Sequence, residues 1–253
     1  MNPVVVRNIK IGEGIPKICV SVIGRTEEEI LKEALGIKEM KVDIVEWRAD
    51  WFEGVSSFDK VKCVLANLRE VLGEIPLLFT FRTAKEGGEQ EIDKDTYLIL
   101  NQAVIDTGNV DLVDVEIFFE ESVVTTIIEY AHRKQMKIIA SNHDFQKTPR
   151  KEEIVARLMK MQDMGADVLK IAVMPQSKKD VLTLLAATEE MTSNYAKQPV
   201  VTMSMSGLGA ISRMSGELFG SAMTFGAAKR ASAPGQVPVE QLNHVLDIFH
   251  RAL

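Results

Sequence analysis

Asp167–Val173 reads DVLKIAV and runs directly into Met174-Pro175. As a strand, it places Val168, Lys170 and Ala172 on one face and Leu169, Ile171 and Val173 on the other. A lysine inside such a run is not an ordinary surface lysine. Burial disfavours an ammonium ion, and an uncharged amine attacks carbonyls and forms Schiff bases. The run by itself equally allows a lysine near a strand end whose amine snorkels to water. The partition of faces bears on the fold: a bulky apolar side turned to helices and a polar side turned inward suit a sheet closed on itself.

Outward from this run, β-rich segments alternate with amphipathic ones. Strands are expected at 17–23, 42–48, 77–82, 112–117, 137–141, 168–173, 200–205 and 222–226. Helices are expected at 26–40, 58–72, 94–107, 121–135, 151–164, 178–194, 211–219 and 239–252. The last carries a 3.6-period stripe of Val239, Leu242, Val245, Leu246 and Phe249, and Thr148-Pro149 supplies an N-cap and an early proline for the fifth. Eight strand–helix pairs in 253 residues, without linker, repeat or low-complexity tract, predict one α/β domain over 1–253, a (β/α)8 TIM barrel. The rival is an open doubly wound sheet, but no GxGxxG follows the first strand. Residues 4–11 read as a short hairpin that closes the barrel floor.

A net charge of −6 without a basic tract argues against nucleic acid as a partner. Cys19 and Cys63 have no metal-site spacing and form no disulfide framework. No signal-peptide pattern and no membrane-length apolar run is seen, so a cytoplasmic location is expected.

In a barrel of this kind chemistry gathers at the C-terminal strand ends. Those ends hold Ser21, Glu46 and Arg48, Arg82, Glu116, His143, Lys170, Met203 and Met205, and Phe225. Ile44, Glu46 and Arg48 alternate with Val45 and Trp47, which makes Trp47 a packing residue by spacing. His143 follows the strand next to that of Lys170, where an imidazole can shuttle protons. His132, His244 and His250 fall on expected helices as surface residues. Arg48, Arg82 and Arg213 bring guanidinium groups to the mouth and point to an anionic substrate; ion pairing with Glu46, Glu86 or Glu116 is the alternative. Glu46, Asp114, Glu116, His143 and Asp144 raise a metal site, which the cations among them oppose. Three glycine-containing segments are left open. Glu86–Glu89 reads as a mobile loop, Ser206–Gly209 as a phosphate cradle or a connector, and Ala233–Gln236 as a lid or a turn.

The runs EWRAD (46–50), TFRTAKEGGEQ (80–90), SNHDFQKTP (141–149), LKIAVMPQSKKDVLTLL (169–185), TMSM (202–205) and SAPGQ (232–236) resemble type I 3-dehydroquinate dehydratase. The similarity runs from about residue 4 to the C-terminus. It implies a homodimeric, metal-free and cofactor-free lyase of the shikimate pathway, which leads to chorismate and the aromatic amino acids. Such an enzyme dehydrates 3-dehydroquinate to 3-dehydroshikimate through a Schiff base. By this resemblance Lys170 forms the imine, His143 is the base and then the acid, and Glu86 orients His143. Arg213 holds the substrate carboxylate. Glu46, Trp47, Arg48, Arg82, Ser232 and Gln236 join the substrate site, with Ser21 at its edge and Met203, Met205 and Phe225 as an apolar wall. The competing readings are a Schiff-base aldolase on the same fold and a silent barrel that only binds an anionic metabolite.

Overall fold

The computed structural model describes residues 2–229 and 231–253. A hairpin of β1 (Val4–Val6) and β2 (Ile9–Ile11) comes first. Parallel strands follow: β3 (Lys17–Val22), β4 (Ile44–Arg48), β5 (Leu77–Thr80), β6 (Leu112–Glu116), β7 (Lys137–Asp144), β8 (Val168–Val173), β9 (Val200–Ser204) and β10 (Met223–Ala227). From β3 to β9 each strand pairs with the next, and β10 returns to pair with β3, with the short β11 (Val237–Pro238) on its outer edge. The seam between β9 and β10 is held by Ala222 N donating to Val200 O at 2.7 Å and Thr202 N donating to the Ser221 hydroxyl at 3.0 Å. The sheet is thus a (β/α)8 barrel.

Helices α1 (Glu27–Lys38), α2 (Phe58–Leu72), α3 (Lys94–Asp106), α4 (Glu121–Arg133), α5 (Lys151–Asp163), α6 (Lys178–Asn194) and α9 (Val239–Ala252) lie within two residues of the sequence expectation. The expected seventh helix instead splits into α7 (Ala210–Met214) and α8 (Gly216–Phe219). At the break Gly216 packs on the seam, and a Cβ there would lie 2.7 Å from Ser221 O. Thr148 is not the N-cap of α5. Arg150 occupies that position without a side-chain bond, and the Thr148 hydroxyl donates instead to Met174 O at 3.0 Å, tying the loop after β7 to the end of β8.

Alternation along the strands divides the apolar residues into two layers. Val45, Trp47, Phe79, Val113, Leu169 and Ile171 face the helices, where they meet Leu65, Leu68 and Leu100. Ile44, Leu78, Leu112, Ile139, Val168, Val201 and Met223 fill the lower barrel together with Val4, Val6 and Ile11 of the hairpin. The hairpin therefore plugs the floor with apolar side chains, and the interior becomes polar only toward the C-terminal strand ends.

Candidate active site

Lys170 projects inward from β8, level with Ser141 on β7 and Val201 on β9, and is 3% exposed. Its apolar sequence neighbours Leu169 and Ile171 point away to the helices, so the amine has polar company. Nζ donates to Asp114 Oδ2 at 2.9 Å, lies 3.8 Å from Glu46 Oε1 and sits 4.4 Å from the centroid of the Phe225 ring. Asp114 also accepts from the Ser141 hydroxyl at 2.5 Å and from Arg82 Nη2 at 2.8 Å. Burial raises the Asp114 carboxyl, but the Arg82 and Lys170 cations and the Ser141 hydrogen bond outweigh it and hold it at about 2.

The three arginines differ in a way that composition does not reveal. Arg82 reaches Glu116 at 3.0 Å, Ser141 at 2.9 Å and Glu86 at 3.6 Å; burial opposes its charge, yet Asp114 and Glu116 raise its pKa. Arg48 forks onto Asp50 through two hydrogen bonds of 2.8 Å each. Both arginines are therefore charge-balanced inside the protein. Arg213, on α7, is 1% exposed and has no carboxylate partner among the described residues. Its Nη2 donates to Pro234 O at 3.1 Å, its Nη1 lies 3.7 Å from Met203 Sδ, and its Nε is left without a partner among the described residues. Burial lowers its pKa to about 10.

His143 follows the inward-facing Ser141 by two residues on β7, which continues three residues past the expected end. Its Nδ1 lies 3.0 Å from Glu86 Oε2, which also accepts the His143 backbone N–H at 2.8 Å, while Asn142 Nδ2 donates to Glu86 Oε1 at 2.9 Å. Burial, with Glu116 adding to it, pushes the Glu86 carboxyl up, while the Arg82 charge and the N–H donors of Asn142 and His143 pull it back toward the ionised form. Burial and the Arg82, Lys170 and Arg48 charges push the imidazole well below 6.5. Both shifts disfavour an imidazolium facing a carboxylate, so the ring rests neutral.

The segment that carries Glu86 is pinned by backbone hydrogen bonds. Ala84 N donates to Gln90 O at 3.0 Å, Gly88 N to Thr83 O at 2.9 Å and Glu89 N to Asp50 Oδ2 at 3.2 Å. Gly88 is required by close approach: a Cβ there would stand 1.9 Å from Arg82 O. Glu116 belongs to the same support, accepting from Thr83 N at 2.8 Å and the Thr83 hydroxyl at 2.7 Å.

These groups surround a cavity of about 240 Å3 lined by Glu46, Arg48, Arg82, Glu86, His143, Lys170, Met203, Met205, Arg213, Phe225, Ser232 and Gln236. At its rim Gln236 Nε2 donates to Ser232 Oγ at 3.0 Å, Ser232 Oγ to Ser21 Oγ at 2.9 Å, and Ser21 Oγ to Glu46 Oε2 at 2.5 Å. Ser21 thus stands at the edge, linked through its hydroxyl. The Ser206–Gly209 and Ala233–Gln236 segments pack on each other: Ser206 N donates to Pro234 O at 3.1 Å, and a Cβ on Gly235 would lie 2.1 Å from Ser206 O.

Two expected site residues do not line the cavity: Ser21 joins it only through the rim hydrogen bonds, and Trp47 lies outside it. Trp47 is fully buried on the helix side of β4, with ring centroids 5.7 Å from Phe79 and 6.0 Å from Phe52. Alternation alone places it there, between the inward-facing Glu46 and Arg48. Sequence reading missed Asp114 as the partner of Lys170 and Asp50 as the partner of Arg48. The inward phase of Asp114 on β6 was a usable signal; that of Asp50, in the turn after β4, was not. Trp51 and Phe145 also line the cavity. Among the described residues no three His, Cys, Asp or Glu side chains gather as a metal-binding group, and no helix is long and apolar enough to cross a membrane.

Comparison with known proteins agrees with this geometry. The family model described as "Type I 3-dehydroquinase" matches residues 18–252. The 3-dehydroquinate dehydratase of Clostridioides difficile (strain 630) is 56% identical over 248 residues, covering 98% of this chain and 97% of that protein. That of Listeria innocua is 56% identical over 251 residues, covering 99% of each. A crystal structure of the type I 3-dehydroquinate dehydratase from Clostridium difficile, described with covalent modified comenic acid, superposes with a TM-score of 0.97 at 55% identity, covering 100% of this chain and 99% of that one. With a matching fold, a nearly full-length family match and relatives of more than half-identical sequence, the chain belongs to the type I 3-dehydroquinases.

Proposed function

We propose that the cavity binds 3-dehydroquinate and removes water from it through an imine on Lys170, releasing 3-dehydroshikimate. The observation that carries this reading is a buried lysine Nζ inside the cavity, one strand away from a neutral histidine braced by a carboxylate. The Lys170 ammonium gives up a proton, the freed Nζ adds to the C3 ketone, and that proton leaves with the carbinolamine hydroxyl as water, forming the protonated imine. The protonated imine withdraws electrons from C2, and His143 takes the C2 proton through Nε2, the nitrogen that Glu86 leaves unoccupied. The enamine electron pair then expels the C1 hydroxyl, which receives the same proton from His143 and departs as water. Hydrolysis of the remaining imine returns the Lys170 amine and frees the product. The relative described with covalent modified comenic acid fits a site of this kind that holds ligands covalently.

Arg213 takes the substrate carboxylate, since it is the buried guanidinium without an internal anion among the described residues. The Gln236–Ser232–Ser21–Glu46 chain offers hydroxyl and carboxylate partners to the ring hydroxyls. Met203, Met205 and Phe225 form the apolar wall, and Arg48 and Arg82, each paired with carboxylates, line the cavity beside them. In this reading the enzyme works as a metal-free and cofactor-free homodimer in the cytoplasm. Borohydride reduction in the presence of 3-dehydroquinate, followed by mass spectrometry, tests the chemistry. A stable adduct mapping to Lys170 is expected; substrate binding and turnover with no adduct would overturn it.

A further inference from the structure

Asn142 and Arg157 lie outside the catalytic cavity yet connect directly to the base. Along β7, Ser141 faces the barrel interior and Asn142 faces the helix layer, where Arg157 on α5 meets it. Arg157 Nη1 donates to Asn142 Oδ1 at 2.9 Å, and Asn142 Nδ2 donates to Glu86 Oε1 at 2.9 Å. Arg157 is itself braced by Glu153 through Nη2, stands 3.8 Å from Asp144 Oδ2 and stacks 5.8 Å from the Phe118 ring centroid.

A guanidinium only donates and a carboxylate only accepts, so one orientation of the Asn142 amide satisfies both neighbours. Flipped, it would set its NH2 against Arg157 and its oxygen against Glu86. We infer that Arg157 is a positioning residue for the reaction: by fixing the Asn142 amide it directs a donor to Glu86 Oε1 and leaves Glu86 Oε2 to hold His143 Nδ1. The donation from Asn142 opposes the rise that burial imposes on Glu86 and so favours its ionised form, the one that accepts the Nδ1–H. This inference rests on the proposed role of His143 as the base. It makes the order of that base depend on a side chain on the outer face of the barrel.

The test compares Arg157→Met, which removes the donor, with Arg157→Lys, which keeps a donor-only head. Arg157→Met should lower kcat about tenfold, the order expected for one lost charge-assisted hydrogen bond. Its KM should stay within about twofold and its borohydride-trapped Lys170 adduct should still form, because the amine and Arg213 are untouched. Arg157→Lys should recover most of the lost kcat. An unchanged kcat in Arg157→Met, or equal losses in the two variants at matched thermal stability, overturns the inference. Failure of the underlying reading looks different, since His143→Ala would then turn over at the parent rate whatever Arg157 does.

Discussion

Arg213→Met should make the ligand-free protein more stable while nearly removing its grip on a carboxylate. Holding the Arg213 pKa at about 10 rather than 12.5 corresponds to about 3 kcal/mol against the charged folded form, all of it from burial. Methionine fills much of the same volume without a charge. The substitution also gives up the hydrogen bond to Pro234 O, worth about 1 kcal/mol, so the net gain should be roughly 1–2 kcal/mol. Urea unfolding of the two ligand-free proteins at neutral pH reads this directly as a rise in midpoint at constant slope. With substrate the sign reverses. A charge-assisted hydrogen bond is worth about 1.5–3 kcal/mol, so KM should rise roughly 10- to 150-fold, and kcat falls if the ring is also misplaced. An Arg213→Met protein that is less stable than the parent and binds 3-dehydroquinate equally well would refute the idea of a cation waiting for its anion.

Asp114→Asn should flatten the acid end of the stability profile. The folded carboxyl sits at about 2 against an ordinary 3.8, so its contribution of about 2 kcal/mol is complete above pH 4 and disappears as pH falls toward 2. Urea midpoints measured between pH 6 and 3 should fall less steeply in the variant, and parallel slopes would count against the assignment. At neutral pH the same variant should be less stable, because Arg82 and Lys170 lose a shared anion. His143→Ala should retain imine trapping on Lys170 while turnover falls by at least about 100-fold, the lower range for general acid–base catalysis; a parent-like kcat would remove His143 from the mechanism. Gly88→Ala should cost roughly 1–3 kcal/mol by thermal unfolding and lower kcat, since its Cβ meets Arg82 O and moves the segment that bears Glu86.

Much of the fold was legible because it rests on local periodicity. The run at 168–173 and the helices at 58–72, 178–194 and 239–252 have the same bounds in sequence and structure. The seventh helix was misread because its division depends on Gly216 packing against Ser221 across the closing seam, a neighbour that no local pattern reveals. Thr148 was misread for a similar reason, since its hydroxyl has a competing acceptor at the end of the next strand. The glycine pair at 87–88 suggested freedom, whereas Gly88 meets a need for close backbone approach.

The sequence by itself determined which side chains enter the barrel, because alternation along a strand is set by the backbone of that strand alone. It placed Glu46, Arg48 and Lys170 inward and Trp47 outward, against the inclusion of Trp47 by motif. Only the tertiary structure decided which charges cancel. Lys170 and Asp114 are 56 residues apart, and Arg82 and Asp114 are 32 apart. Their meeting depends on strand order and register around a closed sheet, and the same closure leaves Arg213 on α7 without a carboxylate among the described residues. Coulomb energy follows distance in space, which one-dimensional spacing does not encode.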